Sequence, residues 1–278
     1  MTTSTTTLAL SDTTGAIVLA GAGKMGGAML TGWLGSGLDP RRVVVIDPFA
    51  SAEITALTAK GLRINPASDA VGEIAAIVLA VKPQMFREVG PSLRALAGET
   101  SLVVSVMAGP TIAVISEVVG GRVVRAMPNT PAAIGRGITV AVPMPDVTAE
   151  QRGIADALLR AAGGVAWIDD EALMDAVTAV SGSGPAYVFL LAEELARAGI
   201  AAGLPAELAT RLARDTVSGS GEMLHRSELD SATLRKNVTS PGGTTAAALA
   251  VLMADDGMSP LLTRAVAAAT ARSKELAK

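Results

Sequence analysis

The sequence predicts an α/β fold in two parts: a doubly wound parallel sheet, followed by an all-helical C-terminal domain. Three observations carry that reading. Over the first 168 residues short apolar runs alternate with amphipathic segments, the pattern of βαβ units with helices on both faces of a sheet. A glycine-rich loop, Gly21-Ala22-Gly23-Lys24-Met25-Gly26, separates the first apolar run from the first helical pattern. After Trp167, Ile168, Asp169 and Asp170 the β-like runs stop and helical periodicity takes over. The expected divisions are a flexible tail over residues 1–14, an α/β domain over 15–168 and a helical domain over 169–278.

The elements follow in order. Residues 16–20 read as a strand, and the glycine loop leads into a helix over 25–36. Residues 43–46 are a second strand that ends at Asp47, and 51–60 are helical. Residues 74–81 are almost wholly apolar, as a parallel strand buried on both faces requires. A helix over 84–96, a buried strand over 102–106 and a helix over 111–119 come next. Strands over 122–126 and 138–142 close the first part. In the second part 173–180, 186–201, 205–224, 229–238, 246–253 and 260–276 favour helix. The β-like run Val188 to Leu191 lies inside one of these longer patterns.

Composition narrows the function. Half the residues are hydrophobic but only 2% are aromatic, so the core is built from Ala, Val, Leu and Ile. The net charge is −3 and no strongly basic stretch occurs, which argues against nucleic acid as a partner. With no cysteine, thiolate catalysis, disulfides and cysteine metal sites drop out, and no metal is expected. The single histidine, His225, leaves little material for His-rich metal sites or a Ser-His-Asp relay. The first 14 residues are rich in Thr and lack a basic and an apolar block, so they read as a tail and not a signal peptide. The longest uncharged apolar stretch, near 101–116, is broken by Gly109-Pro110 and is too short to span a bilayer. The expectation is a cytoplasmic protein.

Two loops carry the candidate chemistry. Gly21 to Gly26 is a G-x-G-x-x-G loop between strand and helix, and Asp47 ends the next strand 21 residues after Gly26. That context fits a dinucleotide cradle, with Asp47 on a ribose 2′-hydroxyl. In the plainer reading Asp47 is a turn residue before Pro48. Lys82, in Ala80-Val81-Lys82-Pro83, ends a buried strand where ligands bind in open sheets, or is a solvated strand-end lysine. Val106, Met107 and Ala108 end the next strand, facing the nicotinamide half of a cofactor or forming a plain loop. The second loop, Thr239-Ser240-Pro241-Gly242-Gly243-Thr244-Thr245, runs into a strong helix former. The resulting helix end, with small residues and free N–H groups, is an anion site. Two such cradles suggest a dinucleotide and a small carboxylate held together. Ser183-Gly184-Pro185 is a natural helix start with Ser183 as cap.

Together these motifs resemble the pyrroline-5-carboxylate reductase family. The likeness covers residues 21–26, 80–84, 125–131 (Arg-Ala-Met-Pro-Asn-Thr-Pro), 181–187 and 238–245, and 234–245 is its most specific signature. It implies an N-terminal Rossmann domain, a C-terminal dimerisation domain, and a homodimer able to assemble into decamers. It also implies reduction of the cyclic imine 1-pyrroline-5-carboxylate to L-proline with NADPH or NADH. By position, Ser240 and the backbone of Gly243, Thr244 and Thr245 would hold the substrate carboxylate, with the Thr245 hydroxyl near the ring nitrogen as the catalytic group. Glu171 matches a position near the substrate. Gly21, Ala22, Gly23, Lys24, Met25, Gly26, Ala80, Val81, Lys82, Pro83, Val106, Met107, Ala108 and Asn237 match cofactor contacts. One departure is Asp47-Pro48-Phe49, where relatives that prefer NADPH tend to be polar or basic; Asp47 tilts the choice weakly to NADH.

The residue inventory supports an imine substrate independently of that likeness. Alcohol oxidation needs a group to take the hydroxyl proton, usually His, Lys or Tyr, and the chain has one His, one Tyr and six Lys. A protonated imine already accepts hydride, so the protein has mainly to position it and exclude water. A β-hydroxyacid dehydrogenase would place a lysine soon after Gly182-Ser183-Gly184, and none occurs between Lys82 and Lys236. The other alternative is a dinucleotide sensor without turnover.

Overall fold

The structure, a computed structural model, describes residues 8–276. The sheet unit opens with strand β1 (Ala16–Ala20), helix α1 (Lys24–Gly35), β2 (Val43–Ile46) and α2 (Ala52–Ala56). Strands β3 (Arg63–Ile64) and β4 (Ile74–Leu79), helix α3 (Pro83–Arg94), β5 (Leu102–Ser105) and α4 (Ile112–Val119) follow. The sheet is completed by β6 (Arg122–Met127), β7 (Gly137–Pro143), α5 (Ala149–Arg160) and β8 (Gly163–Trp167). Among the described residues the strand order is β3-β2-β1-β4-β5-β6-β7-β8. All pairs are parallel except β6 with β7.

Alternation along the strands gives the sheet two covered faces. In β1, Ile17 and Leu19 join Met29, Leu30 and Trp33 of α1 and Leu158 of α5 on one side. Ala16, Val18 and Ala20 join Phe86 and Leu93 of α3 and Ile115 and Val119 of α4 on the other. Both faces being buried, every residue of β1 is buried, and its sequence is a continuous apolar run rather than an alternating one. Trp33 is fully buried, and its indole N–H donates to the Leu158 carbonyl at 2.8 Å, tying α1 to α5.

The remaining elements are helical: α6 (Met174–Val177), α7 (Gly184–Ala201), α8 (Ala206–Arg226), α9 (Ser231–Asn237), α10 (Thr244–Leu252) and α11 (Met258–Leu276). By compactness the chain forms one unit up to Gly182 that also takes the turns from Thr270, and a second unit over Ser183–Ala269. The sheet unit thus extends past the expected boundary at 168. Asp175 accepts from the Ser273 hydroxyl at 2.6 Å, which joins α6 to the end of α11 within that unit. In the second unit α7 packs against α8, with Ala209 closely approaching Gly199.

Several expectations change in detail. The helix expected over 51–60 is a short α2 and a 3-10 turn over Leu57–Lys60. Strands β3 and β8 and helix α5 are additional to the sequence reading. Ser183 precedes α7 but its hydroxyl makes no capping bond, because the backbone arrives already helical from a π turn over Thr178–Gly182; Pro185 does lie in the first turn. Of the expected tail, residues 1–7 lie outside the described residues. Within the rest, Leu10–Asp12 is a 3-10 turn with Leu10 buried, and Arg42 donates to the Leu10 carbonyl and the Thr13 hydroxyl. No helix among the described residues is long and apolar enough to cross a membrane.

Candidate functional site

The order of the sheet places its reversal between β1 and β4, the crevice where ligands bind in open α/β sheets. The glycine loop leaves β1 there. Gly21 has φ +86, and a Cβ on it would come within 2.8 Å of the Ala80 backbone. Gly26 faces the Gly21 carbonyl so closely that any side chain would collide with it. Only glycine lets strand, loop and helix approach this tightly. The first intrahelical bond of α1 runs from the Gly27 N–H to the Gly23 carbonyl at 2.7 Å, and Gly23 has no capping side chain. The N–H groups of Lys24, Met25 and Gly26 therefore lack helical acceptors and present a partial positive charge. This is a phosphate cradle in its chemistry: a backbone nest, a helix N-terminus and no side chain in the way.

Asp47 follows β2 at the same edge. One carboxylate oxygen accepts from the Ala22 N–H at 2.7 Å, inside the glycine loop, and the other from the Phe49 N–H at 2.8 Å. The Phe49 bond closes the turn at Pro48, and the Ala22 bond ties the same carboxylate to the glycine loop. Ala80 and Val81 continue β4 beside it, with the Ala80 N–H on the Ala20 carbonyl at 2.8 Å. Lys82 and Pro83 open α3, Lys82 exposed and Pro83 at the first helical position. Past β5, Val106 and Met107 are buried and Ala108 is exposed. Gly21 to Gly26, Asp47, Ala80 to Pro83 and Val106 to Ala108 thus share one edge of one unit, through the register Ala20 to Leu79 to Ser105.

Glu171 belongs to the same unit. Its Oε1 accepts from Arg125 at 2.8 Å and from the Ile112 N–H at 2.8 Å, so the carboxylate sits on the N-terminal end of α4. Arg125 reaches it from β6 with its side chain 6% exposed, and also lies 3.4 Å from the Gly109 carbonyl. Its Nε is buried without a partner. The pair thus touches Gly109 and Ile112 in the stretch that follows Val106 to Ala108. The sequence reading assigned Arg125 no role, though an arginine inside the apolar strand Arg-Val-Val-Arg-Ala-Met demands a carboxylate partner.

The second cradle lies in the helical unit. Asp230 caps α9 through the Thr233 N–H at 2.9 Å, a bond that, with the Thr233 hydroxyl, holds its carboxyl below the ordinary range. Asn237 ends α9, exposed. Ser240 to Gly243 form a β-turn, closed by the Gly243 N–H on the Ser240 carbonyl at 3.1 Å. Pro241 takes its second position and Gly242, with φ +70, its third, as a type II turn requires. Helix α10 then starts with Gly243 as an uncapped N-cap, and its first bond joins the Ala247 N–H to the Gly243 carbonyl. The Thr244, Thr245 and Ala246 N–H groups have no acceptor within the helix, and Ser240, Thr244 and Thr245 bring hydroxyls to the same turn and helix start. A carboxylate fits this donor set. Ser240 and Thr244 are exposed, and Thr245 is half-buried.

Residues 16–109 match the family model described as NADP oxidoreductase, coenzyme F420-dependent. Residues 171–276 match the model described as pyrroline-5-carboxylate reductase dimerisation. Among curated proteins, pyrroline-5-carboxylate reductase of Pseudomonas aeruginosa is 40% identical over 267 residues, covering 94% of this chain and 97% of the relative. That of Glycine max is 39% identical over 259 residues, covering 92% and 94%. Among solved structures, a pyrroline-5-carboxylate reductase from Coxiella burnetii superposes with a TM-score of 0.88 at 35% identity, over 96% of this chain and all of the other.

Proposed function

The chain belongs to the pyrroline-5-carboxylate reductase family, and from that premise we propose that it reduces L-1-pyrroline-5-carboxylate to L-proline with NADH or NADPH. The observation that carries this reading is the type II turn of Ser240 to Gly243 feeding an uncapped helix, a carboxylate cradle in a chain that also holds a dinucleotide cradle.

In the proposed mechanism the substrate carboxylate is held by the Ser240 hydroxyl and the backbone N–H groups of Thr244 and Thr245, closed by Gly243. This fixes the ring by its one permanent charge. The Thr245 hydroxyl accepts from the protonated ring nitrogen, which steadies the iminium and leaves its carbon the electrophile. When bound, the reduced nicotinamide supplies the hydride, which adds to that carbon; the C=N π electrons become the nitrogen lone pair. The imine takes up one proton and one hydride in all, giving the secondary amine. No side chain need act as a strong base, which suits a chain with one His and one Tyr. Gly21, Ala22, Gly23, Lys24, Met25 and Gly26 would hold the cofactor phosphates, and Ala80, Val81, Lys82, Pro83, Val106, Met107, Ala108 and Asn237 its remaining length. Asp47 would favour NADH by accepting from the ribose and repelling a 2′-phosphate. Glu171, held by Arg125 and the Ile112 N–H, would stand near the substrate, as its position in the family implies.

The division of labour follows: residues 15–168 for the cofactor, the helical part for substrate and assembly. The dimerisation model supports a homo-oligomer, and we take the unit to be a homodimer able to build a decamer, working in the cytoplasm. The test is product identification. One L-proline should form per NAD(P)H consumed from the imine. Cofactor binding without any L-proline would point to a sensor instead.

A further inference from the structure

The edge of the sheet that holds Asp47 has a second layer behind it. Asn65 follows β3 directly and is the one non-glycine residue with positive φ, +46, among the described residues. That backbone state costs most residues energy; asparagine tolerates it best, yet still needs bonds that hold it there. Its side-chain amide supplies them. Oδ1 accepts from the Asp47 N–H at 2.9 Å, and Nδ2 donates to the Asp47 carbonyl at 2.9 Å. The Asn65 N–H donates to the Val45 carbonyl at 2.9 Å, so the clamp is anchored on β2 itself.

Both backbone groups of Asp47 are thus gripped by one side chain. This fixes the direction in which the Asp47 side chain leaves the strand. The carboxylate can then bridge the Ala22 and Phe49 N–H groups at 2.7 and 2.8 Å. Two-residue β3 pairs Arg63 and Ile64 with Val44 and Val45, which brings Asn65 alongside the end of β2.

We propose that Asn65 is a positioning residue for cofactor choice. It holds the Asp47 carboxylate against the glycine loop, where a negative charge favours a cofactor with a free ribose 2′-hydroxyl over one with a 2′-phosphate. The proposal rests on the reading of that loop as the dinucleotide cradle. Once the clamp is gone, Asp47 loses its fixed direction. The hydrogen bond to a ribose hydroxyl and the repulsion of a phosphate then weaken together, so discrimination falls while the phosphate cradle itself stands.

The test is equilibrium titration of the purified protein with NADH and with NADPH, with no imine present. Asn65→Gly keeps the left-handed backbone without steric cost and removes both amide bonds. The ratio Kd(NADPH)/Kd(NADH) should fall by roughly 3- to 30-fold, the size of coupling between residues in contact. In a chain that already carries Asp47→Asn, adding Asn65→Gly should leave the ratio where Asp47→Asn put it. Asn65→Ser, whose single oxygen replaces two amide atoms, should shift the ratio less in the same direction, and answers the question if the glycine variant does not fold. A ratio unmoved by either variant overturns the proposal. So does an equal shift with and without the Asp47 carboxylate, because a merely structural clamp lowers stability without acting through that charge. A chain that binds neither cofactor overturns the cradle reading instead. Failure to turn over the imine, with the ratio behaving as described, bears only on the catalytic reading.

Discussion

The sheet unit buries Trp33, Phe86, Ile17 and Leu19 completely, whereas over Ser183–Ala269 only Ala209 and Ala213 are buried among the described residues. In that second stretch Val188, Phe189, Leu190 and Leu191 are all exposed, four consecutive large apolar residues that point around every side of α7. A helical turn apolar on every side finds its burial in a larger core, while the next turn of α7 carries the exposed ion pairs of Arg197 with Glu193 and Glu194. One half of the chain completes its own packing and the other leaves apolar surface for association, which is how a dimerisation region looks in a single copy. The two cradles divide the same way. The proposed dinucleotide cradle is built by tight contacts within the sheet unit, such as Gly26 on the Gly21 carbonyl. The proposed carboxylate cradle is a turn and a helix end whose first N–H groups have no acceptor within the helix.

The largest expected effect lies in the self-sufficient half. Trp33→Ala removes the largest fully buried side chain and its bond to Leu158, and should cost about 3–5 kcal/mol of stability in thermal or denaturant unfolding. A cost under about 1 kcal/mol would mean that this core is not what holds the unit together. The counterpart change, Phe189→Glu, should leave the fold of the single chain in place. It should weaken self-association by roughly 30-fold or more, the loss of an aromatic anchor, read by sedimentation across a concentration series. Unchanged sedimentation would remove Phe189 from the interface and blunt the contrast between the halves.

Smaller effects sharpen the contrast between the cradles. Thr245→Ala should lower kcat/KM for the imine by roughly 10- to 1000-fold, the size of losing one positioned hydrogen-bond partner, while NADH affinity stays near that of the unaltered chain. Normal kinetics would take Thr245 out of the mechanism. Asp47→Ser should act the other way round, weakening the NADH preference by roughly tenfold with the imine KM little changed. An unaltered ratio of kcat/KM for the two cofactors would show that Asp47 does not read the ribose.

Much of this was legible in the sequence, and where it was not the reasons are physical. β1, the glycine loop, α1 and β2 are legible because a parallel strand buried on both faces leaves an unbroken apolar run, and Gly21 to Gly26 punctuates it. β8 is obscured by Gly163-Gly164 at its start, and β3 by its two-residue length. α5 had a readable start, a capping box of Thr148 and Gln151 with both reciprocal bonds formed. The antiparallel turn into β7 was also readable, because the connection over 128–136 is shorter than the dozen or so residues a parallel crossover needs. Arg125 and Asn65 were hidden for a different reason. Each acts through a residue distant in sequence, Glu171 and Asp47, and no local pattern shows a partner that the fold alone brings near.

The most direct measurement is the initial rate at 340 nm with L-1-pyrroline-5-carboxylate, run with NADH and NADPH in parallel, beside 3-hydroxyisobutyrate with the oxidised cofactors. Imine reduction predicts loss of absorbance with the imine, faster with NADH, and no gain of absorbance with the hydroxy acid. Oxidation of the hydroxy acid with the imine left untouched would contradict it.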